Sequence, residues 1–584
     1  MLARLSILAL ILIFDVMVLH AQWSTDPWKG TIISSTPGGQ SNPVLTKVKG
    51  GNIVVAWSDS RSQDFLSKRD VYAQGVDSNG FVLWKYNGVE VCVANTEQLV
   101  QGVVPDAIGG AFVFWKDNRS GVWDIYMQRL DTIGLPIFAK DGIPVVTPAA
   151  YRFDFQVISD GFGGTFMIWK EQTNRSTSII AQHINSDGNI LWAPGGVNTG
   201  LAFSSSTVLV PIVDGRGGII VCWSEEMLKG DFRDNAYYSQ RIDSAGRIRW
   251  DSNSVPICDR DNGILSEGTK VRQMAMTTDD ASGAYFAFHD VRYGGQEVFL
   301  QHVDSAGTLL LEKDGQLISD ISVPNTPNTM MSICPSGTGQ VYISSGNTRS
   351  VYLFEHRGVL QLFGPDGASL WLEPIPLAQD SIGRGRADII PDNNGGVIAC
   401  WLQGPETDVR MYAQRFNSDG SRHWRNDGVF FYSLSIDRTR AAYRSLMSDG
   451  SHGAVMAYID VVGADDLFLK QINSDGVLGV LIRSPPPPID SNSIESPFIG
   501  IRSIFPNPST GITDIEFVAP VRGPITVAIY NAIGEVVVIP FQEIVQRDIS
   551  TTVSIDLSAQ SSGAFFCRLT GPYINETKMF IVQH

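Results

Sequence analysis

Charge is scarce, cysteine is sparse, and beyond the first twenty residues there is no long apolar run. Only 18% of the 584 residues are charged, and 44 Lys plus Arg against 60 Asp plus Glu leave a net charge of −16. That deficit of cations argues against sequence-blind binding to nucleic acid or anionic lipid, both polyanions. Six cysteines in a chain of this size form no C-x-x-C pair and match no zinc-ligand spacing, so free buried thiols are expected rather than a disulfide framework or a metal knot. The eight histidines show no H-E-x-x-H or similar spacing, and there is neither a Gly-rich phosphate loop nor a G-x-S-x-G elbow. No metal and no cofactor is therefore expected. What is plentiful is glycine, 57 residues, beside 43% apolar residues, a composition of turns and short strands.

The one apolar run lies at the start. Arg4 precedes Leu5 to Phe14 and Val16 to Leu19, and small Ala21 stands before Gln22, the pattern of a secretory leader cut after Ala21. Asp15 splits the run into pieces too short to span a bilayer, so residues 1–21 are expected to be a signal peptide and no transmembrane segment should remain after its removal.

Internal repetition overrides the roughly four domains that length alone suggests. Gln74 to Gly80 recurs as Gln128 to Gly134, Gln182 to Gly188, Gln240 to Gly246, Gln301 to Gly307, Gln361 to Gly367 and Gln414 to Gly420, with Lys470 to Gly476 as an eighth copy. The closing glycines lie 53 to 61 residues apart. Upstream, Asp106, Asp160, Asp214, Asp279, Asp392 and Asp449 each stand four residues before a glycine and open an apolar strand that usually ends on an aromatic, as in Phe112-Val113-Phe114-Trp115. Four strands per unit, the last expected directly after the D-S-x-G turn as in Asn189 to Trp192, make each unit a propeller blade. The expectation is an all-β chain: an eight-bladed, alternatively seven-bladed, β-propeller over residues 22–483. The first copy would supply its own leading strand near Pro43, and the last its own trailing strand near Val477. The sixth copy is the weakest, with Pro335 at the Asp position and no Trp.

Two sets of polar residues could carry chemistry. After the second strand come Asp59 with Arg61, Asp117 with Arg119 and Asp290 with Arg292, and loosely Glu171 with Arg175. A ring of such pairs could bind a polyvalent or sugar-like partner; fastening each blade's loop is the stronger expectation, because the motif repeats blade after blade. An enzyme should break the symmetry at its site. The candidate break is the fourth copy, whose lengthened loop carries Glu225, Glu226 and Asp231, carboxylates that could serve as acid and base in glycoside hydrolysis; a solvated charged loop is the stronger expectation for the same residues. The D-S-x-G turn differs in spacing from the S-x-D-x-G-x-x-W box of sialidases. Asp259 to Gly263 looks like the start of a calcium loop but lacks its closing Glu, which makes it an ordinary turn.

Composition changes at Ser484 and the four prolines that follow it, a stiff linker over residues 484–500. Beyond it, short strand-like runs suggest a small β-sandwich. Phe505-Pro506-Asn507-Pro508-Ser509-Thr510-Gly511, Tyr530-Asn531-Ala532-Ile533-Gly534, Ser562-Gly563-Ala564-Phe565 and Lys578 to Val582 resemble the type A C-terminal sorting domain of the type IX (Por) secretion system. The resemblance covers residues 501–584, with Pro506, Asn507, Pro508, Gly511, Tyr530, Gly534, Gly563 and Lys578 as its motif positions, and Phe565 where the family usually has Tyr. It implies handling by the type IX machinery and its surface-processing protease, and a secreted or outer-membrane surface location in a Gram-negative bacterium. The functional expectation is a non-catalytic binding or adhesion module for a glycan, protein or envelope partner. A propeller-fold polysaccharide hydrolase or lyase and a structural surface scaffold are the alternatives.

Overall fold

The computed structural model describes residues 23–583 except 27–29, 62–67, 146–150, 173–176, 203–207, 230–231, 252–253, 260–273, 291, 293–296, 319–330, 349–355, 379–382, 404–408, 435–443, 461–465, 480–499, 508, 520–522, 533–534, 546–549 and 572–573. The expected leader and all but the last residue of the expected linker lie outside these. The chain divides into two compact units, Met1–Leu481 and Ile482–His584, and both consist of strands.

Among the described residues the first unit holds eight four-stranded antiparallel sheets, numbered 1 to 8 in chain order by the strands Gln40–Lys47, Gln98–Pro105, Tyr151–Ser159, Leu209–Val213, Met274–Thr278, Met331–Pro335, Gly383–Pro391 and Arg444–Ser448. Sheet 2 is representative: Gln98–Pro105, Ala111–Asp117, Asp124–Leu130 and Ile143–Pro144 pair in sequence order. The first strands of successive sheets pack on one another, and that of sheet 8 packs on that of sheet 1, so the sheets close into a propeller ring. The second strands are buried on both faces, which is why they read as unbroken apolar runs rather than alternating ones. Apolar cores fill the gaps between neighbouring sheets, and one of them runs on through sheets 4, 5 and 6. Trp115 and Val54 meet between sheets 1 and 2, and Trp169 and Phe114 between sheets 2 and 3.

Ring closure departs from expectation. Sheet 8 consists of Arg444–Ser448, Ala454–Asp460 and Asp466–Ile472, and its outer strand is Thr31–Ser34 from the start of the chain, paired with Asp466–Ile472. Residues near Val477 make only the isolated bridge Ile472↔Leu478. A strand borrowed across the seam ties the first and last repeats by backbone hydrogen bonds, where a strand following Val477 would leave the seam to side-chain packing alone.

The fourth strand also starts later than expected. Residues 189–192 form one bridge, Ile184↔Ile190, and the strand proper is Val197–Ala202. The intervening segment carries a tryptophan to the neighbouring sheet. Trp84 Nε1 donates to Thr132 O at 3.1 Å, Trp192 to Ser244 O at 3.0 Å, Trp250 to Ser305 O at 3.3 Å and Trp424 to Ser474 O at 2.8 Å, each acceptor in the next sheet's hairpin. Trp23 plays this part at the seam, donating to Ser78 O at 2.8 Å. The hairpin glycines face these rings at positive φ; a Cβ on Gly246 would lie 2.9 Å from Trp192. In sheet 6 it is Ser336, not Pro335, that stands at the turn position, accepting from Thr338 N at 3.2 Å and Gln340 N at 3.3 Å.

The repeated glutamine has a structural part that spacing alone did not disclose. Gln182 is buried and staples the hairpin: Nε2 donates to Ala193 O at 2.9 Å, and Oε1 accepts from His183 N at 2.9 Å and Trp192 N at 3.2 Å. Gln74, Gln128, Gln240, Gln301 and Gln414 repeat the arrangement.

The second unit has a three-stranded sheet (Gly500–Phe505, Ile512–Val518, Ser550–Asp556) and a four-stranded one (Val536–Val545, Gly523–Tyr530, Gly563–Gly571, Ile574–Val582). One core, including Ile515, Phe517, Val527, Phe565 and Phe580, is shared by both.

Replacing Gln182 by Leu orphans two buried N–H groups and a carbonyl, and should cost about 3 kcal/mol of stability. Denaturant unfolding of the full chain checks this; an unchanged midpoint would contradict the staple.

Candidate functional site

The Asp–Arg pairs form one clamp three times over. Trp57 Nε1 donates to Asp59 Oδ2 at 2.8 Å, and Trp115 Nε1 to Asp117 Oδ2 at 2.8 Å. The arginine two residues on turns back. Its backbone N–H donates to the acid's Oδ1 (Arg61 2.8 Å, Arg119 2.9 Å, Arg292 2.8 Å), and its guanidinium bonds the same carboxylate (Arg61 and Arg119 Nη2 at 2.6 Å, Arg292 Nε at 2.8 Å). Each guanidinium lies over a ring of the adjacent strand, Tyr72 at 3.6 Å, Tyr126 at 4.1 Å and Phe299 at 3.9 Å. Each also donates to a carbonyl before the fourth strand, Asn87 at 2.7 Å, Asp141 at 2.8 Å and Asp314 at 2.7 Å. The three carboxylates are buried, and each is held by the arginine of its own blade.

The remaining sheets vary this scheme. Glu171 accepts from Trp169 Nε1 at 3.4 Å, but its arginine is Arg152 from the first strand, Nε at 3.0 Å, which also reaches Asp124 of sheet 2 at 3.5 Å. No repeat spacing could have found Arg152; Arg175 lies outside the described residues. In sheet 7, Trp401 Nε1 donates to neutral Gln403 at 3.2 Å. Cys92 and Cys258 reach the clamp of the following sheet, with Sγ 3.7 Å from Asp117 and 3.9 Å from Asp290. All six cysteines are free and buried, and burial pushes the Cys92 thiol up to about 12, which keeps it protonated and unreactive at neutral pH. Burial likewise pushes Tyr72 up to about 12 against the pull of Arg61, so it carries no proton chemistry at neutral pH.

At the other end of each sheet the turn aspartate has a second partner. Asp106 Oδ1 accepts from the N–H groups of Ile108, Gly109 and Gly110 at 2.9, 2.8 and 2.6 Å, and Oδ2 meets Arg129 Nε at 3.1 Å. His183 meets Asp160 at 2.9 Å, Arg241 meets Asp214 at 2.8 Å, His302 meets Asp279 at 3.2 Å and Arg415 meets Asp392 at 2.8 Å. Burial acts to raise the Asp160 carboxyl, but the His183 bond and two backbone N–H groups outweigh it and hold it below the usual range. The signal was present in the sequence, since in these five sheets the partner, Arg or His, directly follows the repeat Gln; in sheet 8 Gln471, after Lys470, takes that place and donates to Asp449 at 3.2 Å. Where the acid is missing so is its partner, Val48 with Gly75 and Ser336 with Leu362.

Sheet 4 breaks the pattern. Its second and third strands, Ile219–Lys229 and Phe232–Ile242, run on as a long hairpin. Glu225 stands at the clamp's acid position, two residues after Trp223, and Tyr238 at the ring position opposite Trp223. Met227 replaces the arginine. Glu225 is 8% exposed, burial raises its carboxyl above the usual range, and the buried Trp223 Nε1 has no hydrogen-bond partner among the described residues. The side chain of Glu226, and Asp231 altogether, lie outside the described residues, as do residues 260–263 of the calcium-like turn. Among the described residues no group of three or more His, Cys, Asp or Glu side chains could hold a metal, and no helix is long and apolar enough to cross a membrane.

In the second unit the motif residues tie the C-terminal strand. Asn507 Oδ1 accepts from Ile581 N at 2.9 Å, Ser509 N donates to Ile581 O at 2.8 Å, and Gln583 N donates to Ser509 O at 2.8 Å. Lys578 bonds Ile501 O and lies 3.6 Å from Glu576. Gly563 opens the strand paired with Ile574–Val582, Gly511 N donates to Ser509 Oγ at 3.2 Å, and Tyr530 pairs with Phe566. Pro506 follows Phe505 in the same segment; Pro508 and Gly534 lie outside the described residues.

Residues 503–583 match the secretion system C-terminal sorting domain family, so this segment is a sorting domain of a secreted or surface-delivered chain. No curated protein matches the chain. Among solved structures it is similar to an ulvan lyase of a new polysaccharide lyase family, bound to a glucuronic acid–sulfated rhamnose ligand, at 10% identity and TM-score 0.38 over 76% of this chain and 97% of that one. It is also similar to a Penicillium chrysogenum alpha-L-arabinanase (11%, TM-score 0.30, 77% and 99%) and a Streptococcus pneumoniae sialidase (12%, TM-score 0.27, 78% and 70%). At these identities and TM-scores nothing of those proteins is carried over to this chain.

Asp117→Ala strands Trp115 Nε1 and the Arg119 guanidinium, and should cost about 3 kcal/mol; calorimetry checks it, and an unchanged melting temperature would show that the clamp is no fastener. His289, beside the Asp290 clamp, gives a pH-dependent counterpart. Burial pushes its imidazole down to about 4, so the folded chain refuses a proton that the unfolded chain takes near pH 6.5. That stability is whole above pH 6.5 and lost as pH falls toward 4, by up to roughly 3 kcal/mol. His289→Gln should flatten this limb of the melting temperature against pH.

Proposed function

We propose that the chain is a type IX secretion cargo whose propeller is a non-catalytic recognition module at the cell surface, for a glycan, protein or envelope partner. The observation that carries this reading is the internal satisfaction of the Asp59–Arg61, Asp117–Arg119 and Asp290–Arg292 pairs, beside a C-terminal sorting domain. The recurrent charged residues are spent on fastening blades, so recognition falls to the features that differ between blades. The sorting domain delivers the module, and its motif residues keep the final strand in place for the machinery to read.

Glycosidic bond cleavage is a second reading, and the observation favouring it is Glu225. A mostly buried carboxyl with a raised pKa is the form a general acid takes.

Purified full-length chain presented to a glycan array and to surface proteins, then incubated with the polysaccharides it retains, separates the two. Retention without release of reducing or unsaturated ends is expected, and release abolished by Glu225→Gln would transfer the assignment to the enzyme. Deleting residues 501–584 should strand the chain in the periplasm; fractionation showing normal surface delivery would refute the sorting role.

A further inference from the structure

Three blades show what an acid and a ring in this register are built to hold. In sheets 1, 2 and 5 a buried carboxylate and the ring of the adjacent strand enclose one guanidinium, supplied by the residue two positions after the acid. Planar guanidinium stacks on an aromatic face while its N–H edge meets carboxylate oxygens, a combination an ammonium matches less well.

Sheet 4 keeps both walls and omits the filling. The register Trp223↔Tyr238 and Glu225↔Ala236 reproduces Trp57↔Tyr72 and Trp115↔Tyr126 with the acid two residues on. Trp223 and Tyr238 stack with centroids 6.3 Å apart, as Trp57 and Tyr72 do at 6.3 Å. Met227 stands where Arg61, Arg119 and Arg292 stand, and the strand continues to Lys229 instead of turning back across the carboxylate. The tryptophan's hold on the acid is missing too, because among the described residues Trp223 Nε1 has no partner where Trp57 and Trp115 donate to Asp59 and Asp117. Glu225 is thus more than nine-tenths buried, with neither indole nor cation on it among the described residues. Its oxygens are still not sealed, since none is among the fully occluded unpartnered atoms.

We propose that the edge of sheet 4 bounded by Glu225 and Tyr238 is a receptor slot for the guanidinium of an arginine side chain presented by a partner protein. The partner would complete in trans the clamp that three other blades complete in cis. A desolvated carboxylate without a counter-charge is costly, and an incoming cation relieves that cost. Burial, with Glu225 and Asp259 adding to it, raises the Tyr238 hydroxyl, so the ring lies in the negative field of two acids that also draws a cation in. This deepens the recognition-module reading and rests on it, naming the ligand chemistry of one blade.

The test titrates full-length chain with acetyl-Gly-Arg-Gly-amide, following tryptophan and tyrosine fluorescence, with the Lys and citrulline peptides as controls. Saturable millimolar binding is expected for the Arg peptide, weakened at least tenfold in the Lys peptide and absent with citrulline, which keeps the shape and loses the charge. Glu225→Gln should abolish it while Asp388→Asn, on sheet 7, leaves it unchanged. Met227→Arg supplies the missing cation in cis, and should both block the peptide and raise the melting temperature. Equal binding of Arg and citrulline peptides, or binding that survives Glu225→Gln, overturns the slot, as does no saturable signal up to 20 mM, roughly tenfold above the millimolar range of a single exposed ion pair. If the slot fails while the full chain still retains a glycan or protein partner, the module reading stands. If no partner is retained in either experiment, that reading falls as well.

Discussion

Everything in the propeller follows from the fact that a sheet buried on both faces has no solvent side. The second strands of the blades, such as Ala111–Asp117, are buried along most of their length, so no blade is stable by itself and each must be covered twice. A row of such units always leaves two apolar faces at its ends, and only closure removes both. The contact of the first strands of sheets 8 and 1, and the seam pairing of Thr31–Ser34 with Asp466–Ile472, meet that demand. Around the ring a second device recurs, the indole that reaches into the next hairpin. Where it occurs, it couples neighbours by one directional hydrogen bond in addition to packing; Phe138 takes the indole's place against Gly188 of sheet 3.

The same demand explains where the charges are. Apolar faces push charged groups to the two ends of each sheet, and in sheets such as 2 and 3 both ends carry paired ones. Asp106 with Arg129 locks the turn at one end, and Asp117 with Arg119 locks the other. Because these pairs are half-buried or deeper, losing one member strands the other. Replacing both is tolerated, and sheets 1 and 6 show that outcome at the turn, with Val48 and Gly75 or Ser336 and Leu362 in place of an ion pair. The net charge of −16 is therefore in part a property of the turns and not a description of a ligand.

Much of the architecture was legible in the sequence because propeller blades are local: the Asp turn, the apolar second strand and the Gln-to-Gly hairpin lie within one repeat and recur. What escaped was non-local or lacked a repeating residue type. The seam strand is a four-residue segment, Thr31–Ser34, with no repeat partner, and nothing in its composition points to a strand some 440 positions away. The fourth strands were placed too early because Ile190 and Leu191 look like strand residues; they form a passage that delivers Trp192 to the hairpin of sheet 4, where its indole donates to Ser244 O. Arg152 holds Glu171 from a different strand, beyond the reach of a spacing rule. The sorting motif was legible for the opposite reason, since Asn507 and Ser509 lie in a short contiguous segment tied to Ile581 and Gln583. At Glu225 the sequence showed a broken repeat, but only the register showed that the break keeps acid and ring and drops the cation.

The seam sets a schedule as well as a shape. Thr31–Ser34 precedes every other described strand of the propeller, and its partner Asp466–Ile472 follows them. Early blades can form as they emerge, but the ring stays open, with an unpaired strand edge at each side of the gap, until nearly the whole unit is present. Until that pairing forms, the faces of the first and last sheets that later meet stay uncovered. Folding is then committed by the meeting of two distant segments rather than by the completion of any one blade.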